Sequence, residues 1–264
     1  MKIHHLNCGS VRQVEAPGLP AAAAVNHCLL AETDRDGLVL VETGLGLDDV
    51  REPDATLGTD WVAMARPALA EDETAIRQVA RLGFDPADVR HVVVTHLDVD
   101  HCGGLPDFPG ARVHVLRAEL DAAVAEAPSF RYRPAHWAHG PDWAAYDVPA
   151  GDDWFGFASV PLTGLPPEIR LVPLGGHTAG HAGVAVHDGA RWLLHCGDAY
   201  YYHRELDVAP VPHPVLDVVQ TRSEVHHDLR LGTQARLREL VRRHGDDVTI
   251  FSAHDPWELA GLQG

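Results

Sequence analysis

Positive charge is scarce in this chain, and arginine carries almost all of it: Lys2 is the one lysine in 264 residues. The formal net charge is −17 with histidines neutral. Gripping a phosphate backbone needs a basic patch, so nucleic acid is excluded as a partner. The bias of arginine over lysine is read as codon usage rather than function. No run of eighteen apolar residues occurs, which predicts no transmembrane helix and no membrane partner. The first ten residues, MKIHHLNCGS, lack an apolar h-region and a small-residue cleavage site. The expectation is a cytoplasmic protein. Cysteine is sparse too: Cys8, Cys28, Cys102 and Cys196 form no C-x-x-C pair and read as reduced thiols. Cys102 and Cys196 lie beside candidate ligands and are read as small buried residues next to a site.

The residue in excess is histidine, with nineteen copies. The apolar share of 45% is ordinary for a globular protein, and the length suits one large layered domain over 1–264. Strand patterns appear in KIHHLNCG, VNHCLLAET and GLVLVETGLG, with Arg35-Asp36-Gly37 as a hairpin signal between the last two. They predict an antiparallel meander. Residues 71–83 read as a helix closed by Gly83, and DVRHVVVTH as a buried strand. A strand and helix follow in ARVHVLRAELDAAVAEA. Strands return in EIRLVPLGG, HAGVAVHDG and ARWLLHCGD, then a helix in TQARLRELVRRHG and a last strand in DVTIFSAHD. Strands and helix, repeated once, predict two similar halves with sheet packed on sheet and helices outside. Residues 128–165 have no sustained period and are rich in aromatics, proline and glycine. They read as a long irregular insertion, either a lid or a loop pinned by aromatic anchors.

The densest chemistry lies in His96-Leu97-Asp98-Val99-Asp100-His101. Alternate spacing from His96 to Asp100 would put three side chains on one side of an extended segment, and a turn at His101 would aim it differently. Gly103 and Gly104 suit a backbone turning tightly behind a site. His177, Asp198 and His254 follow, each at or just past the end of a predicted strand. Histidine and carboxylate together are donors for zinc, manganese or iron.

In order and spacing these residues resemble the metallo-β-lactamase superfamily, over nearly the whole chain. The family signature is His-x-His-x-Asp-His, then Gly-His, Gly-Asp and a late His. Here it reads His96-x-Asp98-x-Asp100-His101, Gly176-His177, Gly197-Asp198 and His254. The resemblance implies an αββα sandwich of two mixed sheets flanked by helices. It also implies two divalent metal ions, zinc first; the extra carboxylate at Asp98 shifts preference toward manganese or iron as alternatives. His96, Asp98 and His177 would hold the first ion, Asp100, His101 and His254 the second, and Asp198 would bridge them with a hydroxide. Glu42 and His181 would stand behind the ligands.

Asp98 departs from the signature. Two aspartates, two divalent ions and a hydroxide leave a formal charge of plus one; a third carboxylate brings it to zero. Asp98 is then either a charge-neutralising ligand at a working site or the mark of a weakened first position. In the resembling lactonases a tyrosine stands three residues after the bridging Asp, which here is Tyr201. The implied activity is opening of a lactone or other carboxylic ester by metal-bound hydroxide, with Tyr201 polarising the carbonyl and Asp100 shuttling the proton. Alternatives are a glyoxalase II-like thioesterase, a diiron oxidoreductase, and a non-catalytic binding protein with a degenerate site. The first normally carries a C-terminal helical region; here ten residues follow His254. The second normally carries a flavodoxin domain. The expected substrate is a small molecule with an apolar or acyl group. Tyr132, Trp137, Trp143, Trp154, Phe155 and Phe157 of the insertion are candidates for its pocket wall, and His136 and His139 for contacts to it. The oligomeric state stays open, a homodimer included.

Overall fold

A computed structural model describes residues 1–15, 18–19, 21–151 and 153–263. Asp152 of the insertion lies outside the described residues. The first sheet has six strands in the order β1 (Lys2–Val14), β2 (Ala22–Glu32), β3 (Leu38–Val41), β4 (Val89–Val93), β5 (Arg112–Leu116) and β6 (Asp142–Tyr146). The expected meander is present: β1, β2 and β3 pair antiparallel. From β3 to β6 the pairing is parallel, so the sheet is mixed. The second sheet holds β7 (Val160–Pro161), β8 (Ile169–Pro173), β9 (Ala182–His187), β10 (Trp192–His195) and β11 (Val248–Phe251). Here β7 to β10 are antiparallel and β11 is parallel to β10.

Period-two alternation decides which side chains meet. On β2, Leu29 and Ala31 face the second sheet, while Cys28 and Leu30 face outward under helices; on β3, Val39 and Val41 alternate likewise with Leu38 and Leu40. Ile169, Leu171, Val184, Val186 and Phe251 supply the other half of the layer between the sheets. The chain therefore adopts the αββα arrangement of two mixed sheets flanked by helices.

Short helices α1 (Leu47–Arg51) and α2 (Thr59–Ala65) follow β3, where no helix was expected. They are held by tertiary burial of Leu45, Leu57, Trp61 and Val99 rather than by a long periodic stripe. Within the expected helix at 71–83, α3 occupies Ala75–Arg81, and Gly83 beyond it takes φ +92°. The helical turn α4 (Val99–Cys102) lies just after β4. Next, α5 (Arg117–Glu126) packs Ala123 on the outer face of the first sheet. Two further helices were unexpected: α6 (Pro214–Ser223) and, at the end, α8 (Pro256–Leu262). The latter opens on an Asp255 side chain that accepts from the Trp257 and Glu258 amides. Between them α7 (His227–His244) begins earlier than its pattern, because Arg230 pairs with Glu224 and its backbone packs on Gly176.

The insertion is less irregular than its composition. It contributes β6 as an edge strand of the first sheet and β7 to the second. Its aromatics are anchors: Tyr132, Trp137 and Trp143 pack on the outer face of the first sheet, and Trp154, Phe155 and Phe157 on that of the second.

Several histidines outside the motif are buried and structural. His114 is fully buried on β5, with Nδ1 against the Tyr146 hydroxyl at 2.8 Å and Nε2 against His91 at 2.9 Å. Burial, then the neighbouring His91, lowers its pKa from 6.5 to about 3. A folded pKa below the unfolded value means stability that is complete above pH 6.5 and is lost as pH falls toward 3. Between pH 7 and pH 5 this ring should remove about 2 kcal/mol of unfolding free energy. His114→Gln should flatten that part of the pH dependence in urea unfolding of metal-free protein; an unchanged slope would assign the acid sensitivity elsewhere.

Candidate metal centre

The chemistry-bearing residues gather where β3, β4, β10 and β11 end. Main-chain bonds hold these ends together: Glu42 N donates to Val93 O, Thr43 N to His101 O, and His27 N to Ala253 O, all at 2.8–3.0 Å. The His-rich segment leaves β4 extended only as far as Asp98, whose φ of −62° and ψ of 151° make it the residue before α4. Asp100 and His101 lie on the helical turn, not on an extended segment. That turn separates Asp100 from Asp98, so the two carboxylates serve different histidines.

Two triads result: His96, Asp98 and His177, and Asp100, His101 and His254. Within each, the donor atoms lie within 4.8 Å of one another. Asp198 lies between them. Its Oδ1 is 3.2 Å from His101 Nε2 and 3.1 Å from His254 Nε2; its Oδ2 is 3.4 Å from His177 Nε2 and 3.9 Å from His96 Nε2. Among the described residues, His96 Nε2, His101 Nε2 and Asp198 Oδ1 are buried without a hydrogen-bond partner. Orphaned buried donor atoms converging on carboxylates fit an ion better than they fit a self-contained polar cluster. The seven residues singled out from the sequence are thus all brought together.

The rings are aimed from behind. His101 Nδ1 donates to Glu42 Oε2 at 2.5 Å, His254 Nδ1 donates to Val25 O at 2.9 Å, and His96 Nδ1 lies 2.8 Å from Thr95 Oγ1. Fixing one ring nitrogen turns the other toward the centre. His181 uses both nitrogens, donating to Leu174 O and accepting from the Asp198 amide, so it positions Asp198 rather than offering a ligand atom. Glu42 likewise bonds the Thr95 amide with its other oxygen. Its φ of +63° is rare for a non-glycine residue and is held in place by those two bonds. Gly103 does not serve a turn of special handedness; a Cβ there would fall 2.1 Å from Asp49 Oδ2 and 2.8 Å from Val99 O. Close packing behind α4 requires glycine at this position.

Electrostatics follow the same geometry. Burial works against the charge of Asp198, but His254, His101 and His177 hold its pKa well below the usual carboxylate range. Burial raises that of Asp100. Burial, then the Asp198 charge, pushes the Tyr201 phenol well up, so it stays a donor; its hydroxyl gives a 2.9 Å bond to Asp198 Oδ2.

Two residues without a motif position prove central. Arg131, in the insertion, places Nη1 2.9 and 2.7 Å from the two Asp98 oxygens. Burial disfavours charge on Asp98, and Arg131 ahead of His96 outweighs it, holding the carboxyl well below its ordinary pKa. Glu119 on α5 is fully buried. It accepts from Leu97 N, Tyr132 Oη, Thr178 Oγ1 and Gly180 N at 2.5–3.2 Å. No local pattern marks either residue, since their partners lie 13 to 92 positions away.

A cavity of about 520 Å³ opens beside the triads. Val11, Val14, Trp61, Met64, Leu216 and Val219 line it, with Asp98, Asp100, Asp198, Tyr201 and His254 at one end. The six aromatics expected as its wall do not reach it; the insertion contributes Ser129, Phe130 and Arg131 instead. The expected wall residues are spent on sheet packing, where large rings bury more area. His136 and His139 are also absent from the lining. His136 is buried, with Nε2 2.9 Å from Asp49 Oδ1 and Nδ1 3.8 Å from Cys102 Sγ, so Cys102 has the structural role its surroundings suggested. No helix of the described residues is long and apolar enough to cross a membrane.

Residues 23–253 match the family model described as the metallo-beta-lactamase superfamily. The chain is 47% identical over 262 residues to a protein of Mycobacterium tuberculosis named a probable metallo-hydrolase, covering 97% of this chain and 81% of that one. It is 25% identical over 251 residues to the N-acyl homoserine lactonase AiiA of Bacillus thuringiensis subsp. kurstaki, covering 95% and 88%. A crystal structure of a B. thuringiensis AiiA mutant with N-decanoyl-L-homoserine bound at the active site superposes with a TM-score of 0.75. It is 21% identical and covers 98% of this chain and 95% of that one.

Proposed function

Because the chain belongs to the metallo-beta-lactamase superfamily and is a metallo-hydrolase with lactonase-like relatives, we propose that it opens lactones or other carboxylic esters at a two-ion site. One observation carries this reading: two donor triads meet on Asp198 in the lining of a largely apolar cavity, with a phenol bonded to the same carboxylate. His96, Asp98 and His177 would hold one divalent ion, Asp100, His101 and His254 the other, and Asp198 would touch both. Such ions supply a water-derived nucleophile near neutral pH and polarise a carbonyl.

The chain's own residues do the rest. The apolar walls take an acyl or other apolar group and exclude water; the volume falls within the range of small-molecule sites. Tyr201 Oη, a donor at the cavity edge, is placed to bond a carbonyl oxygen as negative charge develops there. Asp100 lines the cavity, and its carboxylate is placed to pass a proton to the leaving oxygen. Arg131 against Asp98 offsets the extra negative charge that motivated the diiron oxidoreductase reading.

The test is elemental analysis of protein purified without added metal, followed by assays across acyl lactones, aryl esters and thioesters. The expected result is two divalent ions per chain and turnover of lactones or esters. Two bound ions without turnover of any of the three classes would sink the proposal. Tyr201→Phe should keep the ions and lower kcat about 10²-fold, chiefly without a change in KM. A rate within a factor of two of wild type would return Tyr201 to a packing role.

A further inference from the structure

The first triad already contains a cation. Arg131 Nη1 lies 2.7 Å from Asp98 Oδ2 and 3.3 Å from His177 Nε2, on two of the three residues of that triad. The guanidinium is anchored on its far side, where Nη2 donates to Ser223 O at the end of α6. It is largely buried, with 16% of its side chain exposed. A loosely held surface arginine would not make this set of contacts.

Its charge also answers the anomaly at position 98. Replacing a neutral histidine by Asp98 lowers the formal charge of the site by one; Arg131 puts that charge back. We propose that Asp98 and Arg131 act as one unit, in which the arginine is a built-in counter-charge that sets how tightly the first ion is held. With Arg131 in place, Asp98 attracts an ion less than a free carboxylate would, and the N–H on His177 Nε2 must shift when an ion takes that lone pair. The first position is therefore the weaker and more exchangeable of the two. Arg131 is a positioning residue, acting through Asp98. The inference rests on the two-ion reading above.

The experiment loads the full chain with zinc and follows release of each ion by elemental analysis against increasing chelator. Arg131→Met should hold the first ion at least about tenfold more tightly than wild type, because a unit charge a few ångströms away has been removed. Arg131→Lys, which keeps the charge, should stay near wild type. Asp98→His leaves Arg131 uncompensated and should weaken the first ion at least about tenfold. Asp98→His with Arg131→Met should return it to the wild-type range. The second ion, on Asp100, His101 and His254, should be unaffected throughout and reports that the fold is intact. If Arg131→Met loses the second ion as well, Asp98→His, which retains the Ser223 anchor, decides in its place. Two ions released identically from wild type, Arg131→Met and Asp98→His would overturn the counter-charge and leave the two-ion site standing. Failure of both wild type and Arg131→Met to take up any zinc would overturn the two-ion site and the counter-charge with it.

Discussion

An Asp198→Ala variant should lose at least three orders of magnitude in hydrolysis and fall below one bound ion per chain, on the order expected when a metal-assisted site is dismantled. The reason is its position. Asp198 is 3.1–3.4 Å from His101, His177 and His254, and so touches members of both triads. It also accepts the Tyr201 hydroxyl. Removing its carboxylate would leave the histidines without the anion that compensates the two proposed ions, and would free the phenol. Asp198→Asn, with the same shape and no charge, separates these effects: metal content should still fall, while Tyr201 keeps an oxygen to bond. Elemental analysis with the lactone assay reads both. An Asp198→Ala protein that keeps two ions and stays within tenfold of the wild-type rate would remove Asp198 from the centre.

The second large effect is expected at a residue that belongs to neither triad. Glu119→Ala should lower the unfolding free energy of metal-free protein by about 3–5 kcal/mol, because four buried donors lose one acceptor group. Those donors belong to the segment carrying His96 and Asp98, to the insertion, and to the loop carrying His177. Glu119 is thus a clamp between the two parts of the first triad. Zinc affinity should fall along with stability, and the first ion should suffer more than the second. Urea unfolding with and without zinc would measure both. A loss under 1 kcal/mol would mean that water or repacking satisfies the donors.

Strands were legible because burial on both faces leaves near-continuous apolar runs, and each candidate ligand stands at or just beyond the end of one of those runs. The candidate ligands were legible because metal binding would restrict residue type, and histidine or aspartate at fixed spacing is rare by chance. The resemblance put Glu42 and His181 behind those residues, and there Glu42 bonds the His101 ring and His181 the Asp198 amide. Local reading failed for the aromatic insertion, where composition suggested a pocket wall and the rings instead cover the sheets. Composition records that a ring will be buried, not against what. It failed also for α1, α2 and α6, whose stability comes from neighbours rather than from their own periodicity.

The sequence by itself thus determined the layered class of the fold, which follows from local period, and, through its resemblance to a known signature, the family and the seven residues that converge on one point. Only the tertiary structure decided what surrounds that point. It put Arg131 on Asp98 across 33 positions, Glu119 under two loops, and aliphatic side chains from β1 and α6 along the cavity. Such contacts depend on how distant segments cross in space. A salt bridge or a buried acceptor leaves no periodic trace in the chain that forms it.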